Sequence, residues 1–441
     1  MTKKWLVPVF LFLLSLYIFT WGLGNISLMP WDEAWYATIS RNIVRSSDWL
    51  HLTFADQPYY DHPPLGFYSI ATSFALLGVN EFSARLPMAI FGSLAVVVVY
   101  LTGKKMGGTW TGLAAGLVLL SCRWFIFRSR TANLEALLLL TQILAIYFWS
   151  KPTKWWQVSL GWFSLALALL TKSVISVTLI PLGLWSTFNF IRSYRQTAKT
   201  IIVSGLLLIV PLLPWYGANY LRHGQGFINQ SIKIAVRGGA QETVTWATTT
   251  KTLLYLRSAI HKWYLPLLAS IVVAIFFIRR QPTRWLVAYL FLASFPYFLS
   301  ARTEIWHLLP ILPPAALLIA YVSFSLPLPS KLVLAGFLGL FAISYTSYWP
   351  EFIHLAPYTI FEAKIGLAAH QNNLPVVTQE TTYVPTLVFY ADLPLKVSPI
   401  EYDLTDYPRP FQLITHTYLL SPQRNYRITH QEGDTVVAVF D

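Results

Sequence analysis

The chain has 441 residues, 55% of them hydrophobic, 16% aromatic and only 12% charged. A soluble protein carries about a quarter charged residues, so a water-soluble enzyme, a disordered chain and a collagen-like fibre are all excluded, and apolar runs near the roughly 20 residues of a membrane span point to a multi-pass protein. The net charge is +13, and its cations sit in loops between the apolar runs, as at membrane surfaces, not on the basic face of a nucleic-acid-binding fold.

In chain order, Lys3 and Lys4 precede an apolar run with no clean cleavage site, which reads as a retained first helix. Spans are expected near 5–23, 86–103, 109–124, 133–149, 157–171, 173–191, 200–218, 260–278, 284–300, 305–322 and 331–349, about eleven in all. With the N-terminus cytoplasmic, alternate loops gather Lys104 and Lys105, Lys151 and Lys154, Arg192, Arg195 and Lys199, Arg279, Arg280 and Arg284, and Lys331 on the inner face, as the positive-inside rule requires. Counting 63–79 as a span would invert several of these loops, so that segment is expected as a helix in the outer interface. The lone Cys122 lies in an apolar run and forms neither an intrachain disulfide nor a thiolate metal site by itself.

The transmembrane domain is expected over 1–349, with outer loops at 24–85 and 219–258. The tail, 350–441, reads as a small extracytoplasmic α+β domain: a helix near 359–370, then β-rich runs at 374–378, 386–390, 411–420 and 436–440 separated by turn residues.

The ionisable residues of the outer face are the candidates for chemistry. Asp32 and Glu33 follow the first span among aromatics, with Arg41 two helical turns on; a catalytic carboxylate pair and a helix cap with an aromatic belt are both open. Asp61 and His62 stand before the rigid Pro63–Pro64, where a metal, a phosphate or a helix cap explains them. Arg85, Arg123, Arg128, Arg130, Lys172 and Arg302 lie at outer span ends where topology does not ask for cations. Such cations either hold an anion such as a lipid phosphate or snorkel and pair with Glu81, Glu135 and Glu304. Glu135 opens an apolar helix, where the helix dipole alone accounts for a carboxylate.

Taken together, Asp32-Glu33-Ala34-Trp35-Tyr36, Asp61-His62-Pro63-Pro64-Leu65, Glu81-Phe82-Ser83-Ala84-Arg85-Leu86-Pro87, Arg130 to Glu135, Leu170-Thr171-Lys172 and the run Glu304 to Pro313 resemble the lipid-dependent glycosyltransferases of the GT-C superfold. The resemblance is to the bacterial branch similar to dolichyl-phosphate-mannose protein mannosyltransferases and the lipid A aminoarabinose transferase. It implies an inner-membrane enzyme that moves one sugar, with inversion, from a polyprenyl-phosphate donor to a lipid, glycan or protein acceptor on the extracytoplasmic side. By the same resemblance Asp32 is the base or acceptor-orienting carboxylate, with Glu33 and Glu135 as further catalytic acids. Arg130, Lys172, Arg85, His62 and Arg41 are donor-phosphate residues, and Asp61 with His261 (or His223) would hold a divalent metal. Trp35 replaces an Arg of the aminoarabinose branch, and Asp61-His62 replaces its Glu-Lys, which weakens transfer of that branch's donor and acceptor to this chain. The competing readings are a lipid-linked glycan transporter, which predicts inverted repeats and broken helices, and a scaffold that keeps the fold without activity.

Overall fold

The computed structural model describes residues 5–440 except 56, 195–196, 237–243, 301–302, 353–356, 380–381, 399–406 and 421–424. Lys3, Lys4, Arg195 and Arg302, which the sequence singled out, therefore lie outside the described residues. Helices run α1 Leu6–Thr20, α2 Asp32–Ser46, α3 Leu65–Leu77, α4 Glu81–Gly107, α5 Thr109–Leu120, α6 Arg123–Ser129, α7 Glu135–Trp149, α8 Trp155–Leu169, α9 Ser173–Ser176 and α10 Ile180–Tyr194. They continue as α11 Thr197–Ile209, α12 Leu213–His223, α13 Gln225–Val236, α14 Trp246–Ile260, α15 Tyr264–Ala274, α16 Gln281–Phe298, α17 Leu312–Ser323 and α18 Ser330–Phe352, with α19 Phe361–Asn372 and α20 Pro385–Ala391 in the tail. The chain divides into two compact units: Met1–Trp21, Tyr60–Gly66 and Leu86–Ile353 form the first, and Gly22–Tyr59, Phe67–Arg85 and His354–Asp441 the second.

The first unit is a bundle of apolar helices. Four described helical runs are long and apolar enough to cross a membrane: Glu81–Gly107, Trp246–Phe277, Ile305–Ser323 and Ser330–Ser347. Two bent pairs, α5 with α6 at 72° and α11 with α12 at 47°, raise this to six if each pair is one span. The expected spans at 5–23, 133–149 and 157–171 are helices of 15 residues each, and 173–191 is broken into α9, a 3-10 turn and α10. Apolar composition marks where these helices lie, but breaks at residues such as Ser121 and Leu170 shorten them, which hydropathy does not register.

Burial separates the helices of this unit. Helix α17 is apolar on every side and buried along Leu312–Val322, as a central helix must be. By contrast α18 exposes Leu332, Leu338 and Ile343, the surface a bundle presents to lipid. Helices α4 and α5 meet backbone to backbone, since a Cβ on Gly112 would lie 2.4 Å from the Tyr100 carbonyl oxygen. Only small residues permit that approach.

The second unit contains the short hairpin β1 (Thr53–Phe54) and β2 (Gln57–Pro58), and a five-stranded sheet of β3 Val376–Gln379, β4 Leu395–Ser398, β5 Phe411–His416, β6 Arg427–Glu432 and β7 Thr435–Phe440. The sheet order is β4-β3-β5-β7-β6, with β3 parallel to both β4 and β5 and the remaining pairs antiparallel. The expected β-run at 386–390 is instead helix α20. Pro385 at its first turn has the backbone angle a helix start needs, and a parallel β3–β4 pair requires a crossover helix between its strands. Ile26 bridges Tyr358, so the residues after the first helix fold with the tail.

Candidate functional site

Asp32 occupies the first turn of α2, partly exposed, where the helix dipole favours a carboxylate. The residue before it, Trp31, has φ 68°, a left-handed conformation costly for a bulky side chain and of the kind that accumulates at functional sites. Glu33 is different. It is 4% exposed, its carboxylate accepts the Met29 backbone N–H at 2.8 Å, and it meets the Arg85 guanidinium at 2.7 and 2.9 Å.

Arg85 donates its remaining N–H groups to the carbonyls of Leu23, Ile26 and Ser27 at 2.7–3.0 Å. The five donors of a guanidinium are thus matched by five contacts. Glu33 and Arg85 pin the loop before α2 onto the start of α4, a structural role beside the catalytic acid and phosphate ligand expected from sequence. Trp35 packs against Phe54 and Tyr59, so it takes part in an aromatic cluster.

Arg41 is likewise committed. Buried at 5% exposure, it donates to the Phe389 and Val388 carbonyls at the end of α20, lies 2.9 Å from Asp392 and covers the Phe389 ring. Its Nη groups serve a helix C-terminus, a structural role beside the phosphate expected from sequence, while its buried Nε is without a hydrogen-bond partner among the described residues. Arg45 adds a two-pronged contact to the same Asp392. Burial opposes ionisation of Asp392, but the hydrogen bond from Arg45 and the charge of Arg41 prevail and hold its carboxyl below the usual range. Tyr390 accepts from the Leu28 N–H at 2.8 Å and donates to Glu81 at 2.6 Å; burial and that carboxylate push its phenol up, so it stays a donor. Neither Tyr390 nor Asp392 stood out in the sequence, because no motif surrounds them and their partners are more than 300 residues away.

The first unit holds the other candidates. Glu135 is 2% exposed at the first turn of α7, its N–H received by the Asn133 side chain at 2.8 Å. Preceding it, Leu134 sits so close to Gly66 that a Cβ there would lie 2.2 Å from Leu134 Cδ2, so a larger residue at 66 would push the Leu134 side chain aside. The Glu135 carboxylate receives Lys172 Nζ at 3.1 Å and Arg128 Nη2 at 3.5 Å. Arg128 also lies over the Trp306 ring at 5.1 Å, and Trp306 stands edge-on to His307. One carboxylate therefore faces two permanent cations, and the Lys172 side chain keeps 20% of its surface exposed. The sequence marked Arg128 only as one of several outer cations, and nothing local distinguished it from its neighbours.

Arg130 lies elsewhere. Its guanidinium donates to the Ile18, Phe19 and Trp21 carbonyls at 2.7–3.1 Å, closing the last turn of α1. These bonds give Arg130 a structural role beside the donor-phosphate place expected from sequence. His62 sits partly exposed in the bend before Pro63–Pro64. Asp61 accepts from the Gln230 side chain at 3.0 Å, and His261 ends α14 with φ 54°. Among the described residues no group of three or more His, Cys, Asp or Glu gathers to hold a metal ion, so the expected pairing of Asp61 with His261 or His223 has no multidentate protein cage.

The profile of the family described as dolichyl-phosphate-mannose-protein mannosyltransferase matches residues 61–215. A protein of Pseudomonas paraeruginosa, undecaprenyl phosphate-alpha-4-amino-4-deoxy-L-arabinose arabinosyl transferase, is 26% identical over 340 residues, covering 68% of this chain and 56% of that one. An uncharacterized protein of Aquifex aeolicus is 28% identical over 242 residues, covering 54% of this chain and 48% of that protein. The chain thus spans about half the length of the curated relatives it matches.

Among solved structures, ArnT from Cupriavidus metallidurans in the apo state aligns with TM-score 0.77 at 17% identity, over 99% of this chain and 98% of that one. The same protein bound to undecaprenyl phosphate aligns with TM-score 0.74 at 17% identity, over 100% and 98%. At such identity the likeness is one of fold. Over residues 61–215 the chain is thus similar to the dolichyl-phosphate-mannose-protein mannosyltransferase family, and its fold is like that of ArnT.

Proposed function

We propose that the chain is an integral-membrane glycosyltransferase that moves one sugar from a polyprenyl-phosphate donor to a lipid, glycan or protein acceptor on the extracytoplasmic face, with inversion. The observation that carries this reading is the Arg128–Glu135–Lys172 cluster, in which two cations face one carboxylate, an excess of cation over that acid, with a partly exposed ammonium. Within an apolar helical bundle such an excess is costly unless an anion completes it, and a lipid phosphate is the anion at hand. The basic loops Lys104–Lys105, Lys151–Lys154 and Arg279–Arg280 support an inner location for one set of helix ends and an outer one for the acidic loop.

In this reading the acceptor oxygen attacks the anomeric carbon and gives its proton to a general base, the role the resemblance implies for Asp32. The bond from that carbon to the phosphate oxygen breaks, and Lys172 with Arg128 stabilises the charge on the departing polyprenyl phosphate. Glu135 positions these two cations and does not itself take the proton. A metal at Asp61 and His62 would require ligands from substrate as well as protein.

The bent helix pairs α5–α6 and α11–α12 favour a second reading, a carrier of lipid-linked glycan, because broken helices line transport sites. The test is release of polyprenyl phosphate by purified protein in lipid, supplied with radiolabelled polyprenyl-phosphate sugars and membrane extract. Asp32→Asn is expected to lower release by about 10²–10⁴-fold with normal folding. Release at the wild-type rate removes Asp32 from the mechanism, and movement of donor across the bilayer without release favours the carrier.

A further inference from the structure

The tail sheet carries a feature that sugar transfer does not require. Strand β3 is followed by α20 and then β4 on one side, while β5 lies parallel to β3 on the other. The chain connections diverge there, and in open α/β sheets ligands settle beyond the carboxyl ends of strands at such a divergence. A partly open cavity of about 150 Å³ lies at that edge. Leu387 and Ile414 give it an apolar floor, and His416, Thr435 and Glu362 supply polar groups, Thr435 standing 3.5 Å from His416 Nδ1, while the Thr382 hydroxyl is held by the Gln379 and Ile414 carbonyls.

Four observations narrow what it takes. Its volume is that of an engineered cavity that accepts benzene, so one six-membered ring fills it. Unlike that engineered cavity its wall is mixed, matching a ring with an apolar face and hydroxyls at its edge. Glu362 has no hydrogen-bond or ion-pair partner among the described residues, whereas the neighbouring Lys364 is held by Glu432 at 3.2 Å. Aromatic surface stands beside it: Phe361 lines the cavity at 40% exposure, and Tyr418, 72% exposed, stacks on His416 with the rings 4° from parallel.

We propose that this cavity binds one uncharged pyranose residue of a glycan, with Glu362 and Thr435 engaging ring hydroxyls and Phe361 or His416 facing the apolar side of the ring. The site is independent of the transfer chemistry. A free carboxylate at its mouth repels an acidic sugar.

The experiment is saturation-transfer NMR on the full chain in lipid nanodiscs with methyl glucoside, methyl galactoside, methyl mannoside and methyl glucuronide. Transfer to at least one neutral glycoside is expected, at least fivefold weaker in the isosteric variants Glu362→Gln and Thr435→Val, and at least fivefold weaker for the glucuronide than for the glucoside. Asp32→Asn should bind as wild type does, which separates this site from the proposed transferase centre. No transfer to any neutral glycoside overturns the proposal, as does transfer that survives both cavity variants unchanged.

Discussion

Two buried carboxylate–cation groups behave differently in this molecule. Glu33 and Arg85 are matched donor for acceptor, with every guanidinium N–H used and both side chains at most 4% exposed. Glu135 is shared between Lys172 and Arg128, two cations on one carboxylate, with an ammonium that reaches solvent. Both sets looked alike as charges at span ends. A cation whose donors are all consumed by its own chain has none left for substrate, so donor accounting, not charge, separates scaffold from ligand site.

The comparison breaks most visibly at Arg85. Arg85→Leu should strand Glu33 and three carbonyls in the interior and cost about 3–5 kcal/mol, read as loss of folded protein or a large drop in melting temperature by size-exclusion thermal challenge. Lysine, a point charge without the planar fork, should restore little of it. A near-normal melting temperature in Arg85→Leu would mean the pair is dispensable.

Arg130→Gln comes next. Losing charge-assisted bonds to the end of α1 should cost about 1.5–3 kcal/mol in the same thermal assay, with polyprenyl-phosphate affinity unchanged in the protein that folds. An affinity loss without destabilisation would return Arg130 to the phosphate. Lys172→Met should do the opposite, weakening polyprenyl-phosphate binding by about tenfold while leaving melting nearly unchanged, because the lysine is partly exposed. Unchanged affinity and turnover would make Lys172 a structural partner of Glu135.

The smallest effect concerns Asp392. Its folded pKa is depressed by Arg45 and Arg41, so its contribution to stability is present above the unfolded carboxylate value near 4 and is lost as pH falls through the folded value. Acid titration from about pH 5 downward should therefore destabilise the wild type more than Asp392→Asn, and identical acid profiles would rule the contact out as a stabiliser. Solvent screening keeps this effect modest, since Arg45 is over half exposed.

Much of the helical layout was legible, because apolar runs announce buried helices without knowledge of their neighbours. Helix α3 at Leu65–Leu77 and α19 at Phe361–Asn372 fall within a few residues of expectation. Strand β6, Arg427–Glu432, was missed because its exposed polar side chains hide its period, and α20 was misread because Val388 and Phe389 favour strands on local propensity. The sequence marked Asp32, Glu135 and Lys172 as charged outliers, yet it could not tell them from Glu33, Arg85, Arg130 and Arg41; the three arginines bond carbonyls scattered from Ile18 to Phe389, and Glu33 bonds Arg85.

By itself the sequence determined the solvent this chain folds in, since scarcity of charge and the spacing of apolar runs depend on composition alone. It also determined the resemblance through which Asp32 and Lys172 were chosen. Only the tertiary structure decided which cations are consumed by the chain and which keep a free face. Hydrogen bonding saturates, and the carbonyls and carboxylates that satisfy a guanidinium come from distant segments, so no window of sequence contains the information.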